Sequence, residues 1–397
     1  MTTGLRSSAS TYSPSRRSLG SRVVDRDSPL RRLDWVLLIA VGGLLVLGTL
    51  LVWSATRQRQ LDLGLDPNAF LRKHIINIAL GLALGAMTAL FDYRSLRAYA
   101  PLVYVASVLG LLAVLTPGIG KTINGSHSWI LLPAGFSIQP SEFAKVALCV
   151  ALPMLLAERR DAEDEPRLSD VALALAVALV PVALIMLQPD LGTTIVIGVI
   201  VLGVLAVANT PTRWMAGLIA VGALGAFAAV KLGVLAQYQL DRFAAFADPT
   251  RDPQGAGYNV KQARIAIGSG GWFGKGLFHG TQTNGKFVPE QQTDFVFTVA
   301  GEELGFLGAG LLILLLGVVL WRGMRIAVRA EDLFGTLVAT GIVCWFTFQA
   351  FENIGMALGI MPVTGVPLPL VSYGGTSMFA TMMAVGLLQN VHMRRYA

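Results

Sequence analysis

The chain has 397 residues, of which 54% are hydrophobic and 14% charged, and a formal net charge of +7. Soluble domains carry about 25% charged residues, so this composition, with a mean hydropathy of +0.62, excludes a soluble globular protein and leaves an all-α polytopic membrane protein. The first 33 residues hold seven arginines against Asp25 and Asp27 and so carry +5 of the +7, which argues against a nucleic-acid-binding surface.

Residues 1–33, rich in Ser, Thr and Arg without apolar periodicity, read as a disordered basic tail. No secretory leader is expected, because the apolar run that follows is too long and lacks a small-residue cleavage site. Arg26, Arg31 and Arg32 press positive charge against the first span and place the N-terminus in the cytoplasm. Residues 34–397 read as one membrane domain. Ten spans are expected, near 35–54, 73–91, 98–116, 141–157, 169–187, 190–208, 214–234, 294–320, 335–358 and 375–391. Ten crossings return the C-terminus to the cytoplasm. The inner loops then hold Arg94 and Arg97, Arg159, Arg160 and Arg167, Arg213, Arg322, Arg325 and Arg329, and finally Arg394 and Arg395. The outer loop at 55–72, with Arg57, Arg59 and Arg72, runs against this pattern. Cys149 and Cys344 lie in apolar runs, and four scattered histidines show no metal-ligand spacing.

Several polar stretches interrupt the apolar frame. Gln139-Pro140-Ser141-Glu142-Phe143-Ala144-Lys145 opens the fourth span. Glu142 and Lys145, three apart, share a helix face and read either as part of a site or as an ion pair that holds helices together. In Gln188-Pro189-Asp190-Leu191-Gly192-Thr193, Asp190 either caps the sixth span or joins a site. The long insertion 235–293, placed outside, is rich in aromatic residues and glycine, so it is expected to fold against the membrane. Its residues 260–268 have the spacing of an interfacial helix. Gly268 to Gly276 fails the phosphate-loop pattern at Ser269 and Gly276, although its backbone amides could cradle a diphosphate. Pro289-Glu290-Gln291-Gln292-Thr293-Asp294 ends the insertion at the mouth of an apolar helix. There the helix dipole lowers the pKa of Asp294 and burial raises it, so the residue reads as a general base or as a helix-stabilising acid. The last outer segment, Gly359 to Thr376, is too rich in proline and glycine for a helix. It reads as a structural plug or as a cavity lining that presents Ser372, Tyr373 and Thr376. Glu352 and Asn353 in the ninth span need polar partners.

Together these motifs, with Gly301-Glu302-Glu303-Leu304-Gly305, resemble the shape, elongation, division and sporulation (SEDS) family of RodA and FtsW proteins. Pro362 to Pro369 is more similar to the RodA branch. One block departs from the resemblance: in Asn124 to Ile130, many relatives carry a basic residue before the tryptophan, where this chain has Ser128 before Trp129 and His127 beside it. The resemblance implies a peptidoglycan glycosyltransferase in the bacterial plasma membrane, with its active site facing outside. It would polymerise lipid II into a β-1,4 glycan strand for cell elongation and shape, and would release undecaprenyl diphosphate. Asp294 matches the family's essential acidic residue in the outer loop, which would take the proton from the acceptor hydroxyl. The candidate substrate contacts are Glu142, Lys145, Asp190, Trp129, Gln139, Lys261, Gln262, Arg264, Glu290, Asn353, Ser372 and Tyr373, with Lys145, Lys261 and Arg264 as counter-charges for the diphosphate and His127 as the substitute for the missing base. The resemblance also implies a divalent cation, magnesium or manganese, and a class B penicillin-binding protein as transpeptidase partner. The rival readings are a lipid II flippase and a non-catalytic scaffold for wall enzymes.

Overall fold

The computed structural model describes residues 32–91, 93–123, 126–132, 136–158, 166–233, 239–240, 242–243, 246 and 255–394. Nearly all of the expected tail, Asn124, Arg159, Arg160, Arg395 and part of the 235–293 insertion lie outside these residues. Ten long helices occur among the described residues: α1 (Trp35–Asp62), α2 (Ala69–Leu90), α3 (Tyr93–Leu115), α4 (Pro140–Glu158), α5 (Leu168–Met186), α6 (Leu191–Val207), α7 (Thr212–Lys231), α10 (Val296–Val328), α11 (Leu333–Leu358) and α12 (Gly375–Arg394). Eight of these are long and apolar enough to cross a bilayer; α6 is shorter, and α12 falls outside that set. The protein is an all-helical polytopic membrane protein. Two shorter helices, α8 (Ala256–Ser269) and α9 (Thr281–Asn284), belong to the insertion.

Local chemistry sets the helix ends. Asp34, Asp190 and Asp332 each accept a hydrogen bond from a backbone amide three residues on, at 3.0, 3.0 and 2.9 Å, and so cap α1, α6 and α11. Gly359 ends α11 in the left-handed region at φ 76°. The centre of the bundle is α4, of whose 19 residues all but Phe143, Leu155, Ala157 and Glu158 are buried. Around it stand α11 and α12, and α12 packs closely on α2. A Cβ at Gly85 would lie 2.7 Å from the carbonyl oxygen of Met382, the small-residue contact by which membrane helices approach. By contrast α7 buries no residue.

Three departures from the expected layout bear on the site. First, α1 runs two turns beyond its expected end, so Arg57 and Arg59 of the expected 55–72 loop stand on helix, and the end of α1 packs on the insertion. The Arg57 guanidinium lies 5.1 Å from the Phe278 ring, and Lys286 pairs with Asp62 at 2.6 Å. Second, residues 120–138 form an antiparallel sheet of β1 (Gly120–Ile123), β2 (Ser126–Leu132) and β3 (Phe136–Ile138) in the order β1-β2-β3. Third, α10 is interrupted by a π-turn over Ala300–Leu304 and kinks at Gly305, φ 66°. Loop amides reach its widened carbonyls: Lys275 N donates to Glu302 O and Gly276 N to Glu303 O, both at 3.0 Å. The glycine-rich turn is therefore a clamp on α10. Those two amides are held by the helix, and none of Gly268 to Gly276 lines the cavity described below, which corrects the expected diphosphate cradle.

The ends of the bundle differ. At one end Arg322 bonds Asp34 at 2.5 and 2.7 Å, and Gln389 exchanges two hydrogen bonds with the Asp34 backbone. At the other end a cavity of about 530 Å³ opens between the sheet, the starts of α2, α4 and α6, and the irregular segment before α12.

Candidate active site

Asp294 stands on the wall of this cavity. It lies two residues before α10, whose N-cap is Phe295. Its own amide, with those of Thr293 and Phe295, bonds Glu290 O at 3.0–3.3 Å, a tight turn in which Glu290 takes φ 51°. The side chain keeps some contact with the cavity, yet protein surrounds the carboxylate. Burial pushes its pKa up to about 6; the Glu290 carboxylate adds to the rise, Arg242 and a hydrogen bond from Thr293 oppose it, and Asp190 adds a little. Asp294 stands one residue before the N-cap, so its carboxylate does not take the capping position of α10.

Glu290, Asp190, Glu142, Gln139, Trp129 and Tyr373 line the same cavity. Asp190 does two jobs. Besides capping α6, its Oδ2 accepts from Thr193 Oγ1 at 2.8 Å and from Gln139 Nε2 at 3.1 Å, which ties the start of α4 to the start of α6. Strand β2 delivers Trp129 and Ser128 to the wall, and Ser126 Oγ anchors the sheet through Ser128 Oγ at 3.0 Å and Gln188 O at 2.8 Å. His127 points elsewhere: its Nδ1 lies 3.0 Å from Thr122 Oγ1, and it does not line the cavity, so the expectation that it replaces the missing base is corrected.

Two cations that the motifs did not single out do line the cavity, Lys73 from α2 and Arg242 from the insertion. A Cβ on Gly365 (φ 79°) would lie 3.3 Å from Asp294 Oδ2 and 3.9 Å from Arg242 Nη1, so the carboxylate and the guanidinium flank one spot that only glycine leaves open. Lys73 stands near the start of α2 beside Arg72, where a basic flank is ordinary for a membrane helix, and Arg242 lies in the insertion, so neither stands out as Lys145 does in a polar run within an apolar helix.

Lys145, Lys261, Gln262, Arg264, Asn353 and Ser372 are not among the lining residues. Lys145 is fully buried. Its Nζ bonds Glu142 Oε1 at 2.7 Å and Gln349 Oε1 at 3.2 Å, and it lies 4.9 Å from the Trp345 ring. The ion pair of the two expected readings is present; Glu142 also lines the cavity, and Lys145 neutralises it from behind. Lys261 and Arg264 stand on the exposed face of α8, whose Ala263 and Ala266 pack inward. Gln262 is half-buried on the same helix. Asn353 and Ser372 are buried and bond backbone. Glu352 accepts from Thr364 Oγ1 at 2.8 Å.

Among the described residues no three His, Cys, Asp or Glu side chains converge into a metal-holding cluster. The cavity carboxylates do not fit a cage built from protein alone.

Carboxylates and two cations around one cavity, with a carboxylate whose pKa lies near neutrality, suit proton removal next to a departing anion. Comparison with known proteins places the chain in a family. The model of the FtsW/RodA/SpoVE family, described as cell cycle protein, matches residues 35–397. Stage V sporulation protein E of Bacillus subtilis is 39% identical over 363 residues, covering 90% of this chain and 96% of its own length. Peptidoglycan glycosyltransferase MrdB of Escherichia coli is 37% identical over 366 residues, covering 91% and 94%. Among solved structures, a chain of a peptidoglycan synthase complex that coordinates polymerization and crosslinking superposes with a TM-score of 0.73 at 35% identity, over 92% of this chain and 98% of that one. The rod shape determining protein RodA of Thermus thermophilus gives 0.67 at 32% identity, over 92% and 98%.

Proposed function

This chain belongs to the FtsW/RodA/SpoVE family, and we propose that it is a peptidoglycan glycosyltransferase that polymerises lipid II in the cavity around Asp294. The observation that carries the site assignment is the placement of a carboxylate with a pKa near 6 beside Arg242 in that cavity. Asp294 takes the proton from the 4-hydroxyl of the acceptor's N-acetylglucosamine. The freed oxygen attacks the anomeric carbon of the donor chain's N-acetylmuramic acid, and undecaprenyl diphosphate leaves from the opposite face. The result is a β-1,4 bond with inversion. Charge builds on the departing diphosphate, and Arg242 and Lys73 supply the compensation expected earlier of Lys145. Glu290, Gln139, Trp129 and Tyr373 serve as sugar and phosphate contacts. A divalent cation would be held by the substrate's phosphates with one or two of the cavity carboxylates, as magnesium usually is.

The cavity faces the outside of the plasma membrane and both termini lie in the cytoplasm. The run of Arg322, Arg325 and Arg329 at the opposite end supports this orientation. The partner is a class B penicillin-binding protein, by likeness to the complex that coordinates polymerization and crosslinking. Polymerisation is favoured over transport because the polar groups gather at one end, while Asp34, Arg322 and Gln389 tie α1, α10 and α12 together at the other.

The test is polymerisation of purified lipid II by the full chain with its partner. Asp294→Asn reaches the membrane and makes no glycan. Normal polymer from that variant refutes the base assignment, and lipid II movement across liposomes without polymer from the wild type establishes the flippase.

A further inference from the structure

Three consecutive carbonyls lead up to α10, and each accepts a hydrogen bond from outside its own turn. Tyr373 N donates to Gln292 O at 2.8 Å, Ser372 Oγ to Thr293 O at 2.5 Å, and Asn353 Nδ2 to Asp294 O at 2.8 Å. The two side chains reach further. Asn353 Nδ2 also donates to Val366 O at 2.8 Å, and Ser372 Oγ accepts from Leu368 N at 2.8 Å. Asn353 is 0% exposed and Ser372 4%. Neither side chain lines the cavity, whereas Gln292, Thr293 and Asp294 do.

We propose that Asn353 and Ser372 are positioning residues that pin the turn bearing Asp294 to the Val366–Leu368 segment and so fix where the carboxylate stands. The inference rests on Asp294 as the base. The turn has no ladder of its own to hold it; its internal backbone bonds converge on the single carbonyl of Glu290, and its internal side-chain bonds from Gln292 and Thr293 end on the Glu290 carboxylate and carbonyl. An amide with two N–H groups and a hydroxyl that both donates and accepts are the side chains able to bridge two backbone segments at once. Helix α11 extends the bracing one turn back, where Gln349 Nε2 donates to Pro367 O at 2.6 Å. The charged groups that face Asp294 are Glu290 from its own turn, Arg242 from the insertion and Asp190 from the start of α6. Loosening the turn lets water in beside the carboxylate, which weakens the burial that raises its pKa.

The experiment compares Ser372→Ala, Ser372→Thr and Asn353→Ala in the full chain with its partner, measuring lipid II polymerisation from pH 5 to 8. The alanine variants lose about tenfold to a hundredfold in kcat, the scale of a small misplacement, while KM for lipid II stays within about twofold. Their acid limb moves to lower pH by about half a unit or more, and Ser372→Thr restores both rate and limb. A raised KM with an unmoved limb makes the two residues substrate contacts and overturns the proposal, as do unchanged kinetics. Should Asn353→Ala fail to reach the membrane, the Ser372 pair decides the matter by itself. Normal polymer from Asp294→Asn refutes the base assignment instead, whatever these variants show.

Discussion

At the scale of single residues, Asp294 is held where its charged form is disfavoured and is left without the N-cap position that would reward it. A base must be ionised, so kcat falls as pH drops through about 6. Removing Arg242 takes away a cation that lowers this pKa. Arg242→Ala therefore moves the acid limb of the pH–rate profile upward as well as reducing kcat, whereas loosening the turn moves it downward. A raised folded-state pKa means the folded chain holds a proton that the unfolded chain has lost between the ordinary value of 3.8 and about 6. Stability from this group thus declines as pH rises through that window, and Asp294→Asn is expected to melt at or above the wild-type temperature at pH 7. Glu142 and Lys145 are coupled differently. Removing one partner leaves the other as a buried, uncompensated charge, at a cost of about 3–5 kcal/mol. The double change Glu142→Gln with Lys145→Met should be less destabilising than the sum of the single changes, as thermal unfolding in detergent would show.

At the scale of elements, the broken α10 is the hinge between insertion and bundle. Glu302 is fully buried and accepts from Lys275 Nζ at 2.9 Å and from the Gln282 and Thr283 amides at 2.8 and 2.9 Å, so it caps α9 and holds the loop to the π-turn. Such π-turns recur at functional sites. Glu302→Ala should lower the melting temperature and remove hydrogen-exchange protection over residues 275–286, with protection at the core of α4 retained. The long helices were readable because they are long apolar runs, three of them opened by a capping aspartate. The sheet at 120–138 was not. Its strands are short, β1 has only one buried residue among four, and β2 alternates imperfectly, so no period-2 pattern stands out.

At the scale of the whole molecule, orientation is the property that pairs the cavity with its substrate. Phe273 is 82% exposed beside the cavity-end clamp and Val328 is 80% exposed at the other end. In a cysteine-free background, Phe273→Cys should react with an impermeant thiol reagent in intact cells, and Val328→Cys only after lysis. The reverse pattern would place the cavity in the cytoplasm. The sequence by itself determined the membrane class, the helical frame, the family resemblance and the choice of Asp294, because each is written in local composition or in a contiguous motif. Only the tertiary structure decided which cations line the cavity with that carboxylate. Lys145 looked like the counter-charge because a charge inside an apolar helix is conspicuous, yet it is sealed behind Glu142. Lys73 and Arg242, more than 160 residues apart in the chain, reach the cavity only because the bundle closes around it. Asn353 and Ser372 likewise reach the Asp294 turn from 59 and 79 residues away. Contacts across such separations leave no local pattern, since they are set by how the helices and the irregular segment pack.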